Sequence, residues 1–187
     1  MRTLFRLLFI SSLPAALACN SSGSPEEDGA FYPYMPLIRA EAEALDTMPL
    51  AVIRYRDDGK GTDTSIMDKE AFKRVAMKTF QPDITVPPLN RLYHEEVFMD
   101  QTLNRAVIRY GTEDPDAEIR LLEISLDPDK ERVKSIYLEK RITSGDTVQT
   151  AKTIWTLGRQ LQVNMIRRVG DSPIAPLKER FVWGLTE

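Results

Sequence analysis

The second half of the chain is a succession of short alternating segments joined by polar turns, and this pattern limits the fold more than any other feature. From residue 92 onward apolar and polar residues alternate, as they do in strands that bury one face. Glycine, proline or asparagine lies in most of the intervening turns. Connections this short join only antiparallel neighbours. The predicted strands span residues 92–99, 104–110, 117–126, 132–143, 147–157, 160–169 and 178–184.

The alternation also predicts which side chains are buried. Leu122 and Ile124 share one face of their strand, and Ile136 lies on the corresponding face of the next. Regular alternation places Ile119 and Leu121, and also Val133 and Tyr137, on the opposite faces of these strands. Part of the second face is therefore expected to be covered as well, and we expect a strongly bent sheet that wraps around a helix.

Two helices and one strand are predicted before this meander. Pro36 suits the first turn of a helix that ends near Thr47. Asp68 is a good N-cap for a second helix that ends near Phe80, because the following apolar residues have helical spacing. Residues 50–55 favour a strand over an extension of the first helix. The predicted fold class is α+β, with two N-terminal helices packed on a curved antiparallel β-meander of about six strands in a single domain, residues 31–187.

Residues 1–18 have the composition of an export signal. Arg2 and Arg6 supply positive charge, and small alanines lie just before Cys19. The apolar run between them is about half the roughly 20 residues that span a bilayer, which favours a cleaved leader over a transmembrane helix. Cys19 is the only cysteine, so no internal disulfide can form. Residues 19–30 are small and polar, as expected for a flexible tether.

The position of Cys19 directly after Ala16-Leu17-Ala18 resembles the lipobox of bacterial lipoproteins. The resemblance implies that the leader is cut before Cys19 and that this residue is lipidated, which anchors the protein in a membrane. Asn20 replaces the aspartate that retains some lipoproteins at the inner membrane, which implies the outer membrane. The alternative is an ordinary signal peptide cut after Ala18, which would leave a free thiol.

Composition gives no reason to expect a nucleic-acid partner. The chain has 25 basic and 28 acidic residues and a formal net charge of −3. Cleavage of the leader would remove Arg2 and Arg6 and leave the rest of the chain more acidic. An acidic protein is not suited to bind the phosphate backbone of a nucleic acid.

We predict no catalytic, cofactor-binding or metal-binding residue, because no motif for such a site is present. His94 is the only histidine, which argues against most zinc sites and most Ser-His-Asp arrangements. Asp127 and the acidic residues after it are better explained as a hairpin turn than as a calcium loop. Trp155 and Trp183 are more typical of a core than of a ligand platform. Four carboxylates stay as candidates for an acid–base pair: Glu95, Glu96, Asp100 and Glu123.

The expected function is therefore a non-enzymatic binding or assembly role in the cell envelope, in a protein held to the membrane through Cys19. The partner would be an envelope protein or an apolar ligand. Two alternatives stay open at this point: a carrier of a hydrophobic ligand, which needs an unfilled cavity, and a hydrolase of envelope polymers, which needs converging carboxylates in a cleft.

Overall fold

The computed structural model describes residues 30–130 and 132–184. Two α-helices and two short 3-10 turns are interspersed with nine strands. The helical elements are α1 (Tyr34–Ala44), α2 (Lys69–Phe80) and the 3-10 turns Leu45–Thr47 and Leu89–Leu92. The strands are β1 (Val52–Asp57), β2 (Thr62–Met67), β3 (His94–Asp100), β4 (Arg105–Gly111), β5 (Ile119–Asp127), β6 (Arg132–Ser144), β7 (Thr147–Thr156), β8 (Gln160–Val169) and β9 (Ser172–Val182).

All nine strands form one antiparallel sheet in the order β2-β1-β9-β8-β7-β6-β5-β4-β3. From β3 to β9 each strand pairs with the next along the chain, as the short turns require. The exception is β1, which pairs with β9, so that Ile53 lies opposite Val182. This pairing leaves β2 at one edge of the sheet and β3 at the other.

The predicted α+β class, with two N-terminal helices on a meander of about six strands, is wrong. The protein is mostly β, since 51% of the described residues are in strands and 20% are helical. The β1–β2 hairpin lies between the two helices in sequence and extends the sheet through β9. The sequence of β2, Thr-Asp-Thr-Ser-Ile-Met, has no apolar alternation to indicate a strand.

The helices cover one face of the sheet through a core rich in aromatic residues. Asp68 caps α2 by accepting a hydrogen bond from the Ala71 backbone N–H at 2.9 Å, which satisfies one free donor of the first turn. The buried Phe72 ring of α2 lies 5.9 Å from Trp155 of β7 and 5.0 Å from Trp183, which follows β9. Core packing thus joins α2 to the centre of the sheet.

Two β-bulges correct the predicted faces of Ile119 and Val133. An extra residue in β5 separates Ile119 from Leu121 relative to β6, and an extra residue in β6 separates Val133 from Ser135 relative to β5. Each insertion reverses the alternation beyond it. Ile119 is consequently buried on the helix-covered face, and Val133 packs against the same core. Neither residue is evidence that the second face is covered.

The predicted leader, residues 1–18, and the predicted lipidation site Cys19 lie outside the described residues. Within the part of the chain that the structure describes, no helix is long and apolar enough to cross a membrane. The first described residues pack beside β4: the Phe31 ring lies 4.5 Å from that of Tyr110, and the Tyr32 N–H donates to the Tyr110 hydroxyl at 2.8 Å. The chain therefore enters the domain one strand away from the β3 edge.

Candidate docking edge

Three of the four candidate carboxylates lie on β3 and Glu123 lies on β5, and the structure does not gather them into one site. Glu96 and Glu123 both contact Arg109, with oxygens 3.6 Å and 2.7 Å from its guanidinium nitrogens. All three lie in one row on the face of the sheet opposite the helices, because Arg109 is the register partner of both glutamates. Their carboxylates are paired with a cation on an open face, which does not resemble an acid–base pair in a cleft.

The other two carboxylates support local structure. Asp100 ends β3 and accepts hydrogen bonds from the backbone N–H groups of Thr102 and Leu103, which fixes the β3–β4 turn. Glu95 is on the helix-covered face, opposite Tyr110. Burial raises the pKa of the Tyr110 hydroxyl, and a hydrogen bond with Glu95 raises it further.

The other residues that were considered as possible site residues also make contacts that support the fold. His94 is the first residue of β3, and its ring lies across Gly111, where a Cβ would be only 3.1 Å from the imidazole. Asp127 accepts from the Asp129 N–H at the β5–β6 turn, and Lys134, 3.0 Å away, lowers the pKa of its carboxyl. Trp155 and Trp183 are buried in the core at 0% and 2% exposure, so neither offers a surface for ligand stacking.

The feature that sequence reasoning missed is a cluster of exposed apolar side chains on the β3–β4 hairpin. We call this cluster the apolar edge, and it consists of Val97, Phe98, Met99 and Leu103, which are 65%, 38%, 50% and 57% exposed. Scattered single apolar residues are normal on a protein surface, whereas several exposed on one hairpin at a sheet edge are typical of an interaction site. The signal available in the sequence was Leu103, an apolar residue in a polar turn.

The apolar edge presents side chains on both faces of one strand. Val97 and Met99 continue the helix-covered face, whereas Phe98 projects to the opposite face, where the Arg109 guanidinium carbon lies 4.8 Å from its ring centre. Six of the seven residues of β3 are exposed. In the described structure β3 pairs with β4 alone, so its outer backbone N–H and C=O groups are free to pair with another strand.

Two depressions in the surface are less suited to a ligand. The first, of about 230 Å³, lies between β1 and β9 beside Tyr55 and Arg180. The second, of about 240 Å³, lies beside Pro115 and Ile142. Both are below the roughly 300–1,000 Å³ typical of small-molecule pockets. Neither lies between α2 and the sheet, where Phe72 and Phe80 fill the space that a hydrophobic-ligand carrier would leave open.

Comparison with known proteins adds no candidate function. No family model, curated protein or solved structure is found to match the chain. The apolar edge is therefore interpreted from its own geometry.

Proposed function

We propose that this protein is a cell-envelope lipoprotein, anchored through Cys19, that acts by binding a protein partner rather than by catalysis. The observation that carries the proposal is the apolar edge, in which exposed apolar side chains flank a strand with free backbone groups. A partner that adds a strand to such an edge gains affinity from hydrogen bonds between the two backbones. Side chains at alternate positions provide specificity.

The surroundings of the edge support a binding role. Asp100 fixes the turn, and Arg109 lies against both Phe98 and Glu96. These contacts hold the hairpin in position before a partner arrives, which lowers the entropic cost of association. Long apolar edges favour aggregation, and proteins usually protect them with charge or proline. Charged residues occupy the first part of β3, but the run Val97-Phe98-Met99 has no such protection, and a partner that covers it best explains its exposure.

The two alternative functions have less support. A hydrophobic-ligand carrier needs a cavity behind α2, and Phe72, Phe80 and Trp155 pack together there. A hydrolase needs two free carboxylates near one substrate, whereas Glu96 and Glu123 share Arg109. Neither alternative accounts for the exposure of Val97 and Leu103.

The anchor has its own test. Mass spectrometry of the N-terminus isolated from native membranes should show an acylated Cys19. The Cys19→Ser variant should leave the membrane fraction and keep its fold. An unmodified thiol in the membrane-associated protein would refute the lipoprotein assignment.

The docking role is tested by placing a photoreactive amino acid at one edge or the other in intact envelopes. A probe in place of Leu103 should give a discrete crosslinked product upon irradiation, because Leu103 belongs to the apolar edge. The matched control is the same probe in place of Thr64, in the middle of the opposite edge strand. Equal crosslinking at both positions, or none at position 103, would contradict a docking function for the β3 edge.

A further inference from the structure

We propose that the partner at the apolar edge is a second copy of this chain, joined by antiparallel pairing of the two β3 strands about a two-fold axis centred on Val97. The inference rests on the proposed docking function of this edge and names its occupant. The resulting assembly would be one continuous sheet with the helices of both copies on the same face.

The register follows from which residues share a face. Directly opposed residues of an antiparallel pair point to the same side, so a two-fold axis perpendicular to the sheet must lie midway between the two copies of one β3 residue, on which the register is said to be centred. An axis through Glu96 would place this carboxylate against its own copy. An axis through Phe98 would place Glu96 opposite Asp100. Both registers oppose like charges, which destabilises a cross-strand pair.

An axis through Val97 avoids these conflicts and uses the whole strand. Val97 then lies opposite Val97 of the other copy, Glu95 opposite Met99, Glu96 opposite Phe98, and His94 opposite Asp100. All seven residues of β3 are paired, and no two acidic residues are directly opposed. Two other registers have no opposed acidic residues, those centred on Met99 and on His94, and both pair less of the strand.

The charges near the axis are complementary between the two copies. Within each copy the Arg109 guanidinium lies over the Phe98 ring at 4.8 Å. Glu96 of the other copy would be directly across from Phe98, which brings its carboxylate beside that guanidinium. On the helix-covered face, the two Val97 side chains, each 65% exposed in the single chain, would contact one another. An isologous interface needs this kind of self-complementary patch.

The position of the N-terminus fits a pair of chains tethered to one membrane. Phe31 lies over Tyr110 of β4, on the helix-covered face and one strand from the axis. The two β4 strands would be three strand spacings apart, about 14 Å. Both copies of Phe31 therefore lie on the same face of the paired sheet, near the axis. Anchoring in one membrane would raise the effective concentration of one copy for the other, in addition to the affinity that the paired strands provide in solution.

The experiment combines sedimentation with disulfide trapping. The chain is produced from its full-length sequence with Cys19→Ser, so that any introduced thiol is the only one. It should form a dimer whose fraction rises with concentration. Val97→Lys should weaken association about tenfold or more, because it places two ammonium groups opposite each other at the axis. The matched control Thr64→Lys adds the same charge to the other edge and should not change association.

Trapping tests the register itself. Val97→Cys should give disulfide-linked dimers under mild oxidation, because directly opposed residues lie within disulfide distance. Glu95→Cys alone should not, because the two thiols would be offset by four residues, about 13 Å along the strands. A mixture of Glu95→Cys and Met99→Cys chains should crosslink.

Three results would overturn the inference: a monomer at every concentration, a dimer that Val97→Lys leaves intact, or equal crosslinking by Glu95→Cys and Val97→Cys. If the chain is monomeric while a photoreactive residue at position 103 captures a different protein in membranes, the docking function stands and self-pairing fails.

Discussion

The two edges of the sheet are strands of similar length that differ in the side chains they expose. β2 has six residues and exposes threonine, aspartate and serine, with Ile66 as a single exposed apolar residue. β3 has seven residues and exposes Val97, Phe98 and Met99 in succession. Both edges have free backbone groups, so backbone geometry alone does not distinguish them. The exposed side chains, rather than the free backbone groups, therefore determine which edge is suited to binding a partner.

The largest expected effect is a difference in the free energy of unfolding between truncating a core aromatic residue and truncating a residue of the β3 edge. Phe72→Ala should lower the free energy of unfolding by about 3–5 kcal/mol, because it removes a buried ring that packs on Trp155 and Trp183. Val97→Ala should change it by less than about 0.5 kcal/mol in the monomer. Urea denaturation of both variants measures this. A large loss for Val97→Ala would mean that the edge is needed for folding rather than for binding.

A smaller effect is expected at alkaline pH near β3. Tyr93 precedes β3 and donates a hydrogen bond to the Ile119 carbonyl at 2.9 Å, and burial raises the pKa of its hydroxyl to about 12. The protonated phenol is therefore favoured in the folded state. Its stabilising contribution is complete below pH 10 and is lost as the pH rises from about 10 to about 12, because the unfolded chain ionises first.

Tyr93→Phe isolates this contribution. The variant should show a shallower fall in stability between pH 10 and 12 than the parent chain, measured by chemical denaturation at successive pH values. Two parallel stability curves would show that Tyr93 does not carry the alkaline sensitivity.

The smallest expected effect comes from two ion pairs that lie towards opposite edges. Arg54 of β1 pairs with Glu179 of β9, with side chains 32% and 18% exposed. Arg109 of β4 pairs with Glu123 of β5, with side chains 40% and 24% exposed. Double-mutant cycles with alanine should give coupling energies within about 0.2–1 kcal/mol, the larger for Arg54–Glu179 because it is less exposed. The reverse order would show that the β3 side is the more rigidly organised.

Local signals made much of the sheet predictable. The alternation after residue 92 corresponds to β3 through β8 and to the second half of β9, which begins six residues before the predicted strand at 178, and Asp68 is the N-cap of α2 as expected. Alternation and helix capping depend on residues that are close together in the sequence, and they can therefore be predicted from the sequence alone. The bulges beside Ile119 and Val133 were not predictable, because a bulge leaves no mark in the residue types of its strand. It shows only in how the two strands pair.

The edges were not predictable, because they depend on contacts between distant parts of the chain. β2 has a polar sequence, and β1 is held by β9, more than a hundred residues away. The Val-Phe-Met run of β3 resembles a buried strand in sequence, and only the strand order shows that it is exposed. Cys19 and the leader stay predictions from the sequence.

The pairing of β1 with β9 has a consequence for biosynthesis. The β1–β2 hairpin is made early, but its place in the sheet beside β9 does not exist until residues 172–182 have emerged. The same segment contains Phe181 and is followed by Trp183, and these two rings complete the aromatic cluster around Phe72. Contacts that join distant parts of a chain form slowly. The sheet and its ring cluster therefore cannot be completed until this segment has been synthesised.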